Sequence, residues 1–487
     1  NDKSDFESYL SDAANVKGDC EGIYFPENEN EIVELIKKAN NENLKITISA
    51  GRTGLNGGCV PENGILISTE KLNKVIEINT ENKCAVVEPG VVLSDLQKEV
   101  EKVNLFYPPD PTETNCFIGG TVVNNSSGAR TFKYGPTRNF VEEISVILPN
   151  GEKVEIKRNE NYIQNYLGKI SFENRDDLRF VIPNYKMPNV KHAAGYYCKE
   201  NMDLIDLFIG SEGTLGVITK IKLKLIELPK NILSMIIFFN SESDLFNFVN
   251  ETRNLSVDKT NIIDLREIEF FDHNTLKILK SDYPNIPDNT NGAVWIEQEF
   301  EQKDEENLLL EIDEQIQKFN GDAENIWFAL NEKEREKLKE FRHKIALKVN
   351  DIISERGLLK VGTDNAVPNE KFSEFYEFTK NLIMEHNLDY VVYGHIGNSH
   401  LHFNMLPKDR DELTLCRKLY GEICRKSVEL GGTISAEHGI GKLKTKYLVE
   451  MFGEENILQM AKLKKNFDPN MILNVGNMFE KKYLQMV

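Results

Sequence analysis

The chain has 487 residues, too many for one hydrophobic core, so two or three domains are expected. Its net charge of −19 argues against a nucleic-acid binder and against docking on an anionic membrane surface. No apolar run approaches the ~20 residues that span a bilayer, and seven scattered cysteines without a CxxC pair favour a reducing compartment.

The predicted elements of the first half are strands and helices interrupted by three Gly-rich loops. A strand over residues 22–25, a helix that starts at 26–28 and a strand over 45–49 lead into the first loop, residues 50–58. Four glycines in this loop let the backbone turn sharply and present N–H groups to an anion. The loop fits neither a Walker A motif nor a GxGxxG motif, and a plain tight turn stays open as an alternative.

Further strands are predicted over residues 64–68, 74–79 and 84–91, followed by a helix from residue 93. A Pro-rich loop then precedes a segment of small residues, 117–128, of the kind needed where backbone approaches a flat ring or a pyrophosphate. An Asn-Gly turn predicts a hairpin over residues 141–156. The third Gly-rich loop, residues 210–216, leads into a strand.

Residues 230–390 have a βαββαβ-like order, which predicts an antiparallel sheet with helices on one face. The charged segment 331–348 is interpreted as a helix with a solvated face.

Three of the eight histidines lie in residues 393–404. From His400 onward the residues alternate as in a half-buried strand, so that His400, His402 and Asn404 share one face. A Gly-Asn-Ser break could fold His395 toward that face, and residues 435–442 add an adjacent acid and histidine between glycines. Imidazoles with a carboxylate are typical of a catalytic metal with an open position, and a further histidine would serve proton transfer. A polar strand face beside a flexible loop is the alternative.

In this order, the three loops and the two histidine motifs resemble FAD-linked oxidases of the vanillyl-alcohol-oxidase (PCMH-type) fold. The resemblance is to the branch of D-lactate, glycolate and D-2-hydroxyglutarate dehydrogenases, and it covers about residues 20–480. It implies an α+β protein with a two-subdomain PCMH-type FAD-binding domain at residues 1–228. An antiparallel-sheet substrate (cap) domain with helices on one face would follow at 229–430. A C-terminal segment, 431–487, would complete the active site and return to the FAD domain.

The resemblance also implies roles for individual residues. Non-covalent FAD would contact Gly51, Thr53, Gly54, Leu55, Asn56, Gly57, Gly58, Pro109, Asp110, Thr112, Ile118, Gly119, Gly120, Asn124, Glu212, Gly213, Leu215, Gly216, Ile218 and Asn474. His395, His402 and Glu437 would bind a divalent metal, for which Zn²⁺ is the first choice and Mn²⁺ or Fe²⁺ also fits. His438 would be the catalytic base with a pKa near neutral, Arg342 would bind the substrate carboxylate, and Asn404 would contact the substrate.

The implied function is metal-assisted oxidation of a small D-2-hydroxy acid, D-lactate-like, to the 2-oxo acid, with hydride transfer to the flavin N5. The electrons would pass to an external acceptor: electron-transferring flavoprotein, a cytochrome, a quinone or O₂. The alternatives are D-2-hydroxyglutarate dehydrogenase and a non-redox flavin transferase similar to alkyl-dihydroxyacetonephosphate synthase. Cytoplasmic localisation is expected, or an organelle matrix if a targeting segment has been trimmed, and a homodimer stays open.

The chain also departs from the family pattern. Arg52 stands where glycine is usual, and His400 ends a Gly-Asn-Ser-His stretch where relatives have Gly-Asp-Gly-Asn. The role of His400 is open between a fourth metal ligand, a substrate contact and a hydrogen-bonded histidine. Ala346 replaces the threonine of the 2-hydroxyglutarate enzymes, and Gly362 replaces their lysine, with Lys360 two residues earlier. These replacements weaken the assignment of a dicarboxylate as the substrate.

Overall fold

The computed structural model describes residues 3–258 and 260–487, and it confirms the α+β class. Within these residues, no helix combines the length and the apolar character needed to cross a bilayer. The described residues form five sheets, and the largest lies in the second half of the chain.

The strands of the first half are short. They are β1 (Gly22–Tyr24), β2 (Ile46–Ser49), β3 (Ile65–Ser68), β4 (Val75–Asn79), β5 (Cys84–Val87), β6 (Leu105–Phe106), β7 (Val141–Ile147), β8 (Lys153–Lys157), β9 (Tyr162–Gln164), β10 (Leu167–Ile170), β11 (Leu178–Val181), β12 (Asn201–Asp203), β13 (Val217–Lys224) and β14 (Ile226–Glu227). The helices here are α1 (Glu29–Glu42), α2 (Leu93–Glu101), α3 (Ile118–Val123), α4 (Thr131–Tyr134) and α5 (Ile205–Phe208).

Longer elements follow in the second half. The strands are β15 (Asn231–Phe239), β16 (Leu265–Asp272), β17 (Gly292–Phe300), β18 (Trp327–Ala329), β19 (Val361–Gly362), β20 (Asn365–Ala366), β21 (Tyr390–Gly394) and β22 (His400–Met405). The helices are α6 (Glu242–Val257), α7 (His273–Leu279), α8 (Glu305–Lys318), α9 (Glu332–Glu355), α10 (Phe372–Glu385), α11 (Arg410–Glu429), α12 (Thr445–Phe452), α13 (Glu454–Phe467) and α14 (Lys481–Gln485).

Two sheets carry the Gly-rich loops. A three-stranded parallel sheet in the order β1-β3-β2 packs against α1, whose N-terminus is capped by the Asn28 side chain accepting from the Glu31 N–H. The first loop leaves the end of β2. A five-stranded antiparallel sheet in the order β4-β5-β13-β7-β8 lies beside it, and the third loop enters this sheet through β13. The predicted hairpin is its β7–β8 pair.

The second half forms the predicted antiparallel sheet, in the order β18-β15-β17-β16-β21-β22-β19 with β20 paired to β22. Side chains alternate along β15: Ile237 and Phe239 pack with α6, α8 and α10, whereas Ile236 and Phe238 pack with α7 and α9. The sequence predicted helices on one face, and the structure adds a second helical layer on the other. The helix α9 packs one face on the sheet through Leu338, Phe341 and Ile345, and its other face is exposed, as predicted.

The C-terminal segment returns to the first sheet. Leu473 forms a parallel bridge with Ile46, and Ile472 joins the small core formed by α1, β2 and β3. The segment is thus packed against the sheet from which the first loop leaves.

Candidate active site

One large cavity, of about 980 Å³, lies where the three Gly-rich loops face the antiparallel sheet of the second half. Fifteen of the predicted flavin-contacting residues line it: Gly51, Thr53, Gly54, Leu55, Asn56, Gly58, Thr112, Gly119, Gly120, Asn124, Glu212, Gly213, Gly216, Ile218 and Asn474. The same cavity is lined by Arg342, Asn404, His402, Glu437 and His438. The structure therefore places the loops and the predicted catalytic residues around one space.

The other five predicted flavin contacts do not line this cavity. Ile118 and Leu215 are fully buried in the main core. The Gly57 N–H donates to Asp12, the Pro109 carbonyl accepts from Gln97, and Asp110 lies 3.3 Å from the Arg130 guanidinium. These five residues contact the protein on the side of the loops that faces away from the cavity.

The first loop is shaped to leave room for a ligand. An added Cβ at Gly54 would come no closer to another atom than 3.7 Å, the distance to the Asn56 side chain, so it would extend into the empty space of the cavity. The absence of a side chain at Gly54 therefore leaves this space to a ligand. Arg52, which stands where glycine is usual in the family, holds φ +59. Its guanidinium stacks 4.1 Å from the ring centroid of Tyr9, and this contact holds a conformation that glycine adopts more readily. The departure from glycine thus leaves the left-handed turn intact.

Three polar side chains brace the flavin side of the cavity. The Glu212 carboxylate accepts the N–H groups of Ile440 and Gly441 at 2.6 and 2.7 Å. Asn474 accepts the N–H of Ile48 at 2.8 Å and donates to the Glu212 carbonyl at 2.9 Å. The Asn56 amide donates to the backbone carbonyl of His438 at 2.9 Å. These contacts fix the C-terminal loop against the first and third Gly-rich loops.

Opposite these loops, three imidazoles surround the Glu437 carboxylate. His395 Nε2 and His402 Nε2 each lie 3.3 Å from a Glu437 oxygen, and His400 Nδ1 lies 4.0 Å away. One ligand atom from each of these four residues lies within 4.8 Å of the others. A set of imidazole nitrogens with one carboxylate suits a divalent transition metal.

The far nitrogens of two of these rings are held by acceptors. His395 Nδ1 faces Glu269 Oε1 at 2.5 Å, and His402 Nδ1 faces the Thr363 carbonyl at 3.0 Å. An acceptor at Nδ1 places the proton there and leaves the Nε2 lone pair toward Glu437, which is how metal-binding histidines are usually oriented. His395 Nε2 is buried and has no hydrogen-bond partner among the described residues. The residues present therefore fit a metal ion.

His438 is the histidine of this group with the most open side chain, 26% exposed. Its ring stacks on that of His402 at 5.4 Å, and its Nδ1 lies 3.5 Å from Asp364 Oδ2. Burial lowers the pKa of His438 to about 4, although Asp364 opposes the shift. The expectation of a near-neutral pKa is therefore wrong for the protein alone, and the imidazole is neutral at pH 7.

Arg342 lies on α9 with its Nε 2.7 Å from Glu269 Oε2, and its guanidinium stacks over the Tyr393 ring. Glu269 therefore bridges Arg342 and His395. Burial alone would raise the pKa of Glu269, but His395 and Arg342 lower it to about 2. Because Nε is committed, a bidentate contact with a substrate would use the two terminal nitrogens of Arg342.

Four charged residues of the site were not predicted from sequence. Glu269 lies on β16, Lys191 Nζ lies 2.7 Å from Glu437 Oε2, and Lys444 Nζ lies 2.6 Å from Asp364 Oδ2. Asp364 also accepts the backbone N–H groups of Glu437 and His438. One signal was available for Glu269, because Arg266, Glu267 and Glu269 interrupt the apolar pattern of β16, and buried charges need partners.

The loops, the cavity and the acid–histidine cluster define a two-domain flavoprotein of the oxidase type. The family described as FAD linked oxidases, C-terminal domain, matches residues 228–478, and the FAD binding domain family matches residues 20–157. The chain belongs to the FAD linked oxidases, and it binds FAD.

Several curated relatives span almost the whole chain. D-lactate dehydrogenase of Anaerostipes hadrus is 32% identical, over 92% of this chain and 86% of the relative. The glycolate oxidase subunit GlcD of Bacillus subtilis (strain 168) is 30% identical, over 95% and 89%. D-2-hydroxyglutarate dehydrogenase of Stutzerimonas stutzeri is 29% identical, over 94% and 90%.

Solved structures share the fold at lower identity. A 4-ethylphenol oxidase from Gulosibacter chungangensis superposes with a TM-score of 0.69 at 17% identity, over 98% of this chain and 93% of that one. An alkyldihydroxyacetonephosphate synthase gives 0.65 at 16% identity, over 93% and 75%. The PCMH-type fold predicted from the sequence is confirmed.

Proposed function

We propose that this protein oxidises a small D-2-hydroxy acid, D-lactate-like, to the 2-oxo acid, with FAD as the oxidant and a divalent metal ion as a second cofactor. The observation that carries the proposal is the single cavity in which the flavin loops face Arg342, His438 and the Glu437 cluster. Relatives named as D-lactate dehydrogenase and glycolate oxidase subunit over most of their length support this substrate class.

When bound, FAD supplies the two-electron acceptor for hydride, and the metal ion supplies a Lewis acid that lowers the pKa of the substrate hydroxyl. Arg342 binds the substrate carboxylate through its terminal nitrogens and so orients the hydroxyl-bearing carbon. Asn404, buried beside His402 on β22, contacts the substrate from the sheet side.

His438 takes the hydroxyl proton. Its Nδ1 faces the buried Asp364 carboxylate, which holds the proton at that nitrogen and leaves Nε2 as the acceptor. A base with a pKa of about 4 is unprotonated at neutral pH, but it is too weak a base to remove the proton of an ordinary alcohol efficiently. The proposed metal ion fits this property, because a more acidic hydroxyl suits a weaker base.

The cavity lining bears on which hydroxy acid fits. Ala346 and Gly362 both line it and offer no side-chain group to a second carboxylate, whereas Lys360 also lines it. The two positions without a polar side chain favour a small monocarboxylic acid as the substrate, and Lys360 makes D-2-hydroxyglutarate the alternative to compare directly. Electrons leave through an external acceptor: electron-transferring flavoprotein, a cytochrome, a quinone or O₂.

The deciding experiment is anaerobic flavin reduction by a panel of D- and L-2-hydroxy acids, with and without a chelator. We expect D-lactate to bleach the flavin, L-lactate not to do so, and chelation to abolish bleaching without releasing FAD. If the chelated, metal-free protein reduces its flavin at the same rate, the metal-assisted mechanism is wrong. If no 2-hydroxy acid bleaches the flavin, the proposal fails in favour of non-redox flavin chemistry.

A further inference from the structure

His400 distinguishes this chain from the family pattern, in which asparagine occupies its position. The side chain is fully buried on β22 and does not line the cavity, which excludes a direct contact with a substrate held there. His400 Nδ1 is buried and has no hydrogen-bond partner among the described residues, whereas Nε2 faces the Asp364 carboxylate. A buried polar atom left unpaired is destabilising, so Nδ1 needs a partner.

The ring of His400 is aimed at the same carboxylate as its neighbours. Its centroid lies 4.6 Å from that of His402 and 5.3 Å from that of His395. Its Nδ1 faces Glu437 at 4.0 Å, while its Nε2 lies 3.3 Å from Asp364 Oδ1. All three histidines thus share one arrangement, with one nitrogen toward an acceptor in the surrounding shell and the other toward Glu437.

We propose that His400 is a fourth protein ligand, which converts a two-histidine, one-carboxylate site into a site with three imidazoles and one carboxylate. This inference rests on the metal site of the proposed function. Each added imidazole shifts preference toward transition cations of borderline softness, such as Zn²⁺, Co²⁺ or Ni²⁺, and away from Mg²⁺ and Ca²⁺. A fourth ligand also strengthens retention of the ion.

The main alternative to this proposal is that the Lys191 ammonium, and not a metal ion, neutralises the Glu437 carboxylate. The Lys191 side chain is 3% exposed, and its ammonium lies 2.7 Å from Glu437 Oε2 and already supplies positive charge to this carboxylate. A protein that used Lys191 in place of a metal ion would leave His400 as a buried imidazole without a ligand role. The two alternatives predict different metal contents: a metal ion bound by three imidazoles if His400 is a ligand, and no bound metal ion if Lys191 takes its place.

The test begins with wild-type holoprotein loaded with Zn²⁺ or Co²⁺. X-ray absorption at the metal edge counts bound imidazoles without any substitution, and we expect three rather than two. Competition with a chelator then compares the wild type with His400→Asn, which restores the residue usual in the family. We expect Zn²⁺ affinity to fall at least about tenfold, the lower bound typical for loss of even an outer-shell partner.

His386→Asn is the matched control, because His386 is exposed at the end of α10 and its ring Nδ1 has the Leu382 carbonyl as its hydrogen-bond partner. Its Zn²⁺ affinity should equal that of the wild type. FAD content of each variant reports whether the fold survives. Two imidazoles per metal ion, or equal affinities of wild type and His400→Asn, would overturn the proposal and leave the proposed function standing. A wild type that binds no stoichiometric metal ion would overturn both.

Discussion

Replacing Glu269 with glutamine tests whether one buried carboxylate positions both His395 of the proposed metal site and Arg342, the proposed substrate-binding residue. Glu269 is 1% exposed and lies between His395 Nδ1, at 2.5 Å, and Arg342 Nε, at 2.7 Å. Glutamine keeps the shape of the side chain and removes its charge. The Arg342 cation would then be buried without its ionic partner.

The expected loss of stability follows from the pKa. A carboxyl group with an ordinary pKa of about 4.3 that falls to about 2 in the folded protein contributes about 3 kcal/mol at neutral pH. Because the folded pKa is the lower one, this contribution is present above about pH 4.3 and is lost as the pH falls toward 2. Breaking a buried pair by removing one partner typically costs about 3–5 kcal/mol, which agrees with this value.

Tryptophan fluorescence gives a local readout for this variant. The two tryptophans of the chain, Trp295 on β17 and Trp327 on β18, both belong to the sheet that contains Glu269. Urea unfolding followed by their emission therefore reports on that sheet even if the flavin-binding sheets unfold separately. We expect the midpoint of Glu269→Gln to fall clearly below that of the wild type.

The matched control is Glu374→Gln, which removes an exposed carboxylate that pairs with Lys371 and Lys426. Exposed pairs of this kind contribute little, so its midpoint should stay close to the wild-type value. Coincident unfolding curves for Glu269→Gln and the wild type would refute the reasoning, because Glu269 would then have no net ionic role.

Three further predictions concern the rest of the site. His438→Ala should lose at least about 10²-fold in kcat while retaining FAD, and turnover near the wild-type rate would exclude His438 as the base. Lys191→Met removes a like charge beside the proposed ion and should raise Zn²⁺ affinity by at least roughly tenfold, as a chelator titration would show; weaker binding would mean that Lys191 orients Glu437 instead. Burial raises the pKa of Glu212 to about 7, so its folded form holds a proton that the unfolded chain releases near 4.3. The stability that this proton provides is complete below pH 4.3 and lost as the pH rises to 7; melting temperatures of the wild type should therefore fall relative to those of Glu212→Gln across this range, and parallel profiles would contradict the assignment.

The sequence was sufficient to predict structure where the residue pattern that indicates it lies within one element. The alternation from His400 to Asn404 predicted the faces of β22, and the order of the Gly-rich loops predicted the fold around the cavity. Contacts between distant residues were not predictable in this way. Glu269 and His395 are 126 positions apart, and Lys191 and Glu437 are 246 apart, so no local periodicity links them. The neutral His438 is likewise a product of burial, which only the packed structure defines.

The bracing of the flavin loops by the C-terminal segment has a consequence for biosynthesis. Ile48 donates to Asn474 across 426 positions, and Asn56 donates to His438 across 382. At roughly 5–20 residues per second, the ribosome needs roughly 20–80 s to make the partner that completes the first loop. During that time the emerged N-terminal half lacks the contacts that shape its cofactor site. Flavin insertion is therefore expected only after the segment that contains His438 and Asn474 has been made, and free FAD added to nascent chains stalled before it should remain unbound.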